Sequence, residues 1–126
     1  MTNEIRAAEA SPFACNMDAI KSDQRQQHID TIRRVFHAVE SIRELPNGYA
    51  FKLPDESEML RMVWEFISLE RLCCPFFGFT VEIEPEGGPV CLQLTGSEGV
   101  KPFIRAEISE FLGESLAHSG DFQSNT

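Results

Sequence analysis

The stretch Glu70-Arg71-Leu72-Cys73-Cys74-Pro75-Phe76-Phe77 constrains this chain more than any other. It closes an amphipathic helical pattern on two adjacent thiols and sets a carboxylate on the face that has to be buried. At about 100° per residue, Val63, Phe66, Ile67 and Leu69 surround the direction of Met59, and Glu70 falls near the centre of that stripe. Cys73 lies to one side of it and Cys74 to the other. An isolated buried carboxylate is very unfavourable, so Glu70 has to be neutralised, paired or bound to a cation. Pro75 disfavours helical geometry at the residue before it, which puts the end of this helix at the thiols.

The surrounding pattern predicts an α+β domain with the element order α-β-α-β-β-α. Ile29, Ile32, Phe36, Val39 and Ile42 recur at three- and four-residue steps, predicting a first helix from about Ser22 to Leu45, capped by Ser22 or Asp23. Pro46-Asn47-Gly48 forces a turn, and Tyr49, Phe51 and Leu53 then alternate with Ala50 and Lys52 as a short strand. Asp55-Glu56-Ser57-Glu58 has the form of a capping box opening the second helix. Two alternating runs follow, Phe79-Val81-Ile83 and Val90-Leu92-Leu94, joined by the hairpin loop Pro85-Glu86-Gly87-Gly88-Pro89. A last helix begins between Ser97 and Pro102 and carries Phe103, Ile104, Ile108, Phe111 and Leu112, with Pro102 in its first turn. The expected result is a mainly antiparallel sheet of about three strands with three helices on one face. Residues 1–12 and 113–126 are polar and non-periodic and are expected to be mobile ends flanking a single domain over 13–112.

A chain of 126 residues with 42% hydrophobic residues is enough for one modest core. Twenty acidic against eleven basic residues give a formal charge of -9, with no basic stripe to offset it, which argues against nucleic acid and anionic membranes as partners. The N-terminus has neither a basic segment nor an apolar one, so no signal peptide is expected, and no apolar run approaches the roughly 20 residues that span a bilayer. The expected location is the cytoplasm, where four cysteines are normally reduced thiols. Their positions, 15, 73, 74 and 91, match neither a paired C-x-x-C zinc ribbon nor a thioredoxin motif.

On the first helix, His28 falls inside the apolar arc around Ile32 and Val39, while His37 faces solvent. One histidine, one glutamate and two thiols are therefore expected to face the interior together. Cys15, just upstream in Phe13-Ala14-Cys15-Asn16-Met17, is placed to fold back towards them, and Cys91 shares its strand phase with Gln93 and Thr95, away from the core. Thiolates with imidazole and a carboxylate suit zinc, copper(I) or a heavier thiophilic ion. Burial raises the pKa of carboxyl and thiol alike, and the negative end of a helix disfavours thiolates further, so a cation would relieve all these penalties. Adjacent thiols diverge by about 100° on a regular helix, so both reach one ion only if Cys74 turns out of the helix at Pro75.

Two other readings compete. In one, the cysteines simply pack as small hydrophobes and Glu70 is satisfied by His28 or Arg25. In the other, Cys15 pairs with Cys73 or Cys74 as a redox switch; a Cys73–Cys74 bridge is excluded from ready formation, since adjacent Cα atoms sit about 3.8 Å apart. Nucleophilic catalysis by a cysteine fits worst, because the helix end has the wrong polarity to activate it. The Phe76, Phe77 and Phe79 cluster reads as core, and Thr95-Gly96-Ser97-Glu98-Gly99 as a turn and cap lacking the glycine spacing and lysine of a phosphate loop.

The segments Glu70-x-x-Cys73-Cys74-Pro75-Phe76-Phe77-x-Phe79, Glu44-Leu45-Pro46-Asn47-Gly48-Tyr49-Ala50-Phe51, Leu94-Thr95-Gly96-x-Glu98-Gly99 and Cys15-Asn16-Met17-x-Ala19 with His28 resemble a family of small bacterial proteins of uncharacterised function. The resemblance runs from Cys15 to about Phe111; Pro102 departs from its pattern. It implies a bacterial cytosolic single domain and no mechanism. The residues themselves point to a non-enzymatic protein that binds a thiophilic metal or metalloid ion for sequestration or sensing. Cys73 and Cys74 are its expected principal ligands, Glu70 a ligand or charge partner, and His28 and Cys15 complete the shell. The runner-up is a protein-interaction module, acting as a homodimer, whose buried Cys/Glu/His cluster only packs.

Overall fold

The computed structural model describes residues 13–112; the two ends expected to be mobile lie outside the described residues. A single 3-10 turn, Met17–Ala19, leads into helix α1, Ser22–His37. Two strand–strand–helix units follow: β1 Ser41–Leu45, β2 Gly48–Leu53 and α2 Ser57–Cys73, then β3 Gly78–Ile83, β4 Val90–Thr95 and α3 Val100–Leu112. The four strands form one antiparallel sheet in the order β1-β2-β4-β3, so the two hairpins meet along β2 and β4.

The α+β class with three helices stands, but the first helix is shorter than its periodicity suggests. It ends at His37, and Ser41–Leu45 is an additional strand. Ile42 continues the helical spacing of Ile32, Phe36 and Val39 by coincidence, while its buried side is set by pairing opposite Phe51. Pro46 and Asn47 form the two-residue connection between Leu45 and Gly48, and such a hairpin fixes register within a few residues. Gly48 has a separate reason to be glycine. A Cβ placed there would lie 1.9 Å from the carbonyl oxygen of Leu94 and 2.8 Å from the Thr95 Cα, both backbone atoms of the adjoining β4.

Helix starts also differ slightly. Lys21 occupies the N-cap of α1, and Glu56 that of α2, with no side-chain cap hydrogen bond at either, so the Asp55 box does not form. In the β3–β4 loop, Glu86 and Gly87 adopt positive φ of 60° and 75°, which turns the chain back on itself.

One sheet face carries Ile42, Tyr49, Phe51, Leu53, Val90, Leu92 and Leu94, all buried. The alternation follows from the two-residue period of a strand. Phe36 of α1 meets Phe51 edge-on at 5.0 Å between centroids, and Phe66 of α2 meets Phe36 at 5.5 Å and Phe79 of β3 at 6.1 Å. Burying each such side chain stabilises the fold by about 1.5–3 kcal/mol. The helices thus cover this face, with α1 packed against both α2 and α3. Among the described residues no helix is long and apolar enough to cross a membrane.

Candidate functional site

The site forms where the C-terminal end of α2 meets α1, α3 and the segment before α1. Pro75 ends α2 as expected. Cys73 is its last residue and Cys74 its cap, with non-helical φ and ψ of -128° and 69°. Leaving the helix swings the second thiol round, and the two sulfurs lie 3.7 Å apart. The Cys74 amide still donates to the Glu70 carbonyl at 2.7 Å, and the Phe77 amide to the Cys74 carbonyl at 3.2 Å, so hydrogen bonds span the turn.

Glu70 points inward and is 2% exposed. Its Oε1 sits 2.7 Å from His28 Nε2 and 3.6 Å from Cys73 Sγ, while Oε2 sits 3.3 Å from Cys74 Sγ. Burial pushes the Glu70 carboxyl up to about 7. It lowers His28 below its ordinary value, so the pair is a hydrogen bond with a neutral imidazole rather than an ion pair. The other ring nitrogen, Nδ1, is buried with no hydrogen-bond partner among the described residues. A bare lone pair is the cheaper orphan, because a buried N–H with nothing to donate to is rarer than an under-used acceptor. The ring therefore carries its proton on Nε2 and donates to Glu70. Phe66 stacks on the imidazole at 6.1 Å and fixes its plane. Arg25 takes no part; its Nε donates to the Met17 and Ile20 carbonyls.

Cys15 is folded back onto this cluster. The Asn16 amide donates to the Cys73 carbonyl at 2.8 Å, which brings the Cys15 and Cys74 Cα atoms to 4.8 Å and within disulfide range. The two are joined by a disulfide, leaving Cys73 and Cys91 as the free thiols among the described residues. That corrects the expectation of four reduced cysteines. The backbone contact between Asn16 and Cys73 supplies the proximity that sequence distance conceals. Cys91 is far from the cluster, half-buried on the opposite sheet face across from Lys52 and Glu82.

The residue sequence reasoning missed is Glu107 of α3. Its Oε2 lies 3.2 Å from Cys15 Sγ and 3.8 Å from Cys74 Sγ. A disulfide sulfur has no proton to give, so in this oxidised form these are close contacts only, and the hydrogen-bond partner of the Glu107 carboxyl is the Glu70 carboxyl. Burial, reinforced by the charge of Glu70 and a hydrogen bond to it, holds Glu107 up to about 9, so Glu107 is the donor of that carboxyl pair at neutral pH. On a helical wheel at about 100° per residue, Glu107 falls between Val100 and Phe103 within the apolar arc, so the sequence carries the same inward signal for it as for Glu70.

Donor atoms of Cys15, Glu70, Cys73 and Cys74 all lie within 4.8 Å of one another, a group able to hold a metal ion once its sulfurs are free. His28 stands behind this group and not in it, orienting the carboxylate as outer partners of metal ligands commonly do. Burial and the neighbouring charges of Glu70 and Glu107 raise the Cys73 thiol well above its ordinary value, so a proton leaves it only for a strong competitor. No family model, curated protein or solved structure matches the chain.

Proposed function

We propose that the reduced protein binds a thiophilic metal or metalloid ion through Cys15, Cys73 and Cys74, with Glu70 as fourth donor or charge partner. The observation that carries this is the convergence of three sulfurs and one carboxylate within 4.8 Å at the end of α2. Soft sulfur donors select copper(I), zinc and heavier thiophilic ions over hard cations. A bound cation would displace the thiol protons and offset the burial penalty that raises Cys73 and Glu70. Sequestration or sensing fits such a site better than catalysis, since burial and the neighbouring carboxyls disfavour the Cys73 thiolate until an ion arrives.

The test is anaerobic purification under reductant with elemental analysis, comparing wild type with Cys73→Ser/Cys74→Ser. One ion per chain, lost in the variant, supports the reading; absence of metal from both leaves the cluster as packing alone and ends it.

The Cys15–Cys74 disulfide favours a second, compatible reading: a thiol redox switch whose oxidised form withholds two of the three sulfurs. In a cytosolic setting such bonds are usually transient and redox-sensing. Thiol counting after mild oxidant tests it directly. Loss of two thiols, mapped to Cys15 and Cys74, supports the switch; four thiols retained removes it.

A further inference from the structure

A cleft of ≈ 340 Å³ opens onto the sulfur cluster, its walls including the apolar Met17, Ile32, Phe103 and Ala106 and the acids Glu70 and Glu107. Of the two bridged residues Cys15 lines the cleft, as does the free Cys73, whereas Cys74 is 0% exposed and is not among its walls. Disulfide exchange requires a thiol to approach one sulfur of the bridge and expel the other, so access decides which bond forms. The mouth also carries Glu110, an exposed acid, within a chain of formal charge -9. Arg25, the cation beside Met17, is already engaged by Asp18 at 3.5 Å and by backbone carbonyls.

We propose that this cleft is the entry site for a small uncharged organic thiol, which opens the bridge by attacking Cys15 Sγ and expelling Cys74. The inference rests on the redox-switch reading and adds to it a substrate class and a direction of attack. In the first step the incoming sulfur bonds to Cys15, the Cys15–Cys74 bond breaks, and the proton of the thiol ends on Cys74. A second molecule of the thiol then attacks the mixed disulfide, leaving as the symmetrical organic disulfide and returning Cys15 as a thiol. Two electrons pass from two thiols to the protein. The apolar wall residues favour an uncharged body, which gives up little hydration on entry, and the wall acids with the net charge repel an anion.

The experiment uses the oxidised full chain with 2-mercaptoethanol and 2-mercaptoethanesulfonate, a neutral and an anionic thiol of like reactivity, each also run on the urea-unfolded protein. In the folded protein the neutral thiol is expected to open the bridge at least about tenfold faster, relative to the unfolded control. Trapping with a maleimide is expected to show the mixed disulfide on Cys15 and the maleimide on Cys74. Ala106→Phe, at an exposed wall position, is expected to slow opening in the folded protein at least about tenfold and leave the unfolded rate unchanged. An adduct on Cys74, equal rates for the two thiols, or no effect of Ala106→Phe each overturn the proposal. If they do so while the bridge still forms and the reduced chain still binds metal, only this entry route is lost. A protein that never forms the bridge removes route and switch together.

Discussion

His28 Nε2 and Glu70 Oε1 are 2.7 Å apart, on side chains 0% and 2% exposed, and each is the other's means of tolerating burial. Removing one partner strands the other. His28→Leu or Glu70→Leu alone is expected to destabilise the protein by about 1–3 kcal/mol. The double variant should cost less than the sum, with a coupling of about 0.5–3 kcal/mol in urea denaturation. Strict additivity would mean that the two groups do not support each other.

Stability is expected to fall as pH rises above the ordinary histidine value. Glu70 and Glu107 are held up to about 7 and about 9, so the folded chain keeps protons that the unfolded chain releases near 4.5. Raising the pH through that window therefore favours unfolding. His28, lowered by burial, acts in the opposite sense, but only below 6.5. Between about pH 6.5 and 8 the carboxyls set the slope, which cannot exceed about 1.4 kcal/mol per pH unit for each group, and above that the raised Cys73 thiol adds in the same sense. Glu107→Gln should flatten it; an unchanged profile would show that Glu107 titrates normally.

Opening the Cys15–Cys74 bridge, which spans a sequence separation of 59, should lower stability towards unfolding. Loop-closure entropy puts the limit at about 4 kcal/mol. Comparing oxidised wild type with Cys15→Ser by denaturation measures it. A variant as stable as the wild type would mean that the bridge constrains nothing in the unfolded chain.

A thiophilic ion should raise the melting temperature of the reduced protein and not that of the oxidised one. At about 100 times its dissociation constant a bound ion adds about 2.7 kcal/mol. Equal shifts in both forms would place the ion away from the bridged sulfurs.

Gly48→Ala is expected to cost about 2 kcal/mol or more, since a methyl group there meets the Leu94 carbonyl and the Thr95 backbone, neither of which can rotate away. Amide exchange should show the loss concentrated along the β2–β4 pairing.

Helical faces were the most legible part of the sequence. The wheel that placed Glu70 and His28 inward describes their positions in the fold, because a 3.6-residue period is a local property of the chain. Ser41–Leu45 was not legible in that way. Five residues with one buried position fit either period, and only pairing with β2 decides between them. The disulfide was half-visible. The sequence leaves Cys15 free to pair with Cys73 or Cys74, and the choice of Cys74 depends on the turn at Pro75 and on the Asn16 hydrogen bond, both products of the assembled fold. Glu107 shares its helix face with the apolar Ile104 and Ile108, so its inward direction is carried by the same period.

The segment carrying Cys15 is fastened by unlike means: a peptide hydrogen bond at Asn16, the ring of Phe13 against Phe76 and Phe103, the sunken side chain of Ile20, and the cross-link. Only the last of these can feel an oxidant or a reductant. Reduction would unlock the sulfur while the other three fastenings keep it in station, so the protein could change its chemistry without redrawing its outline.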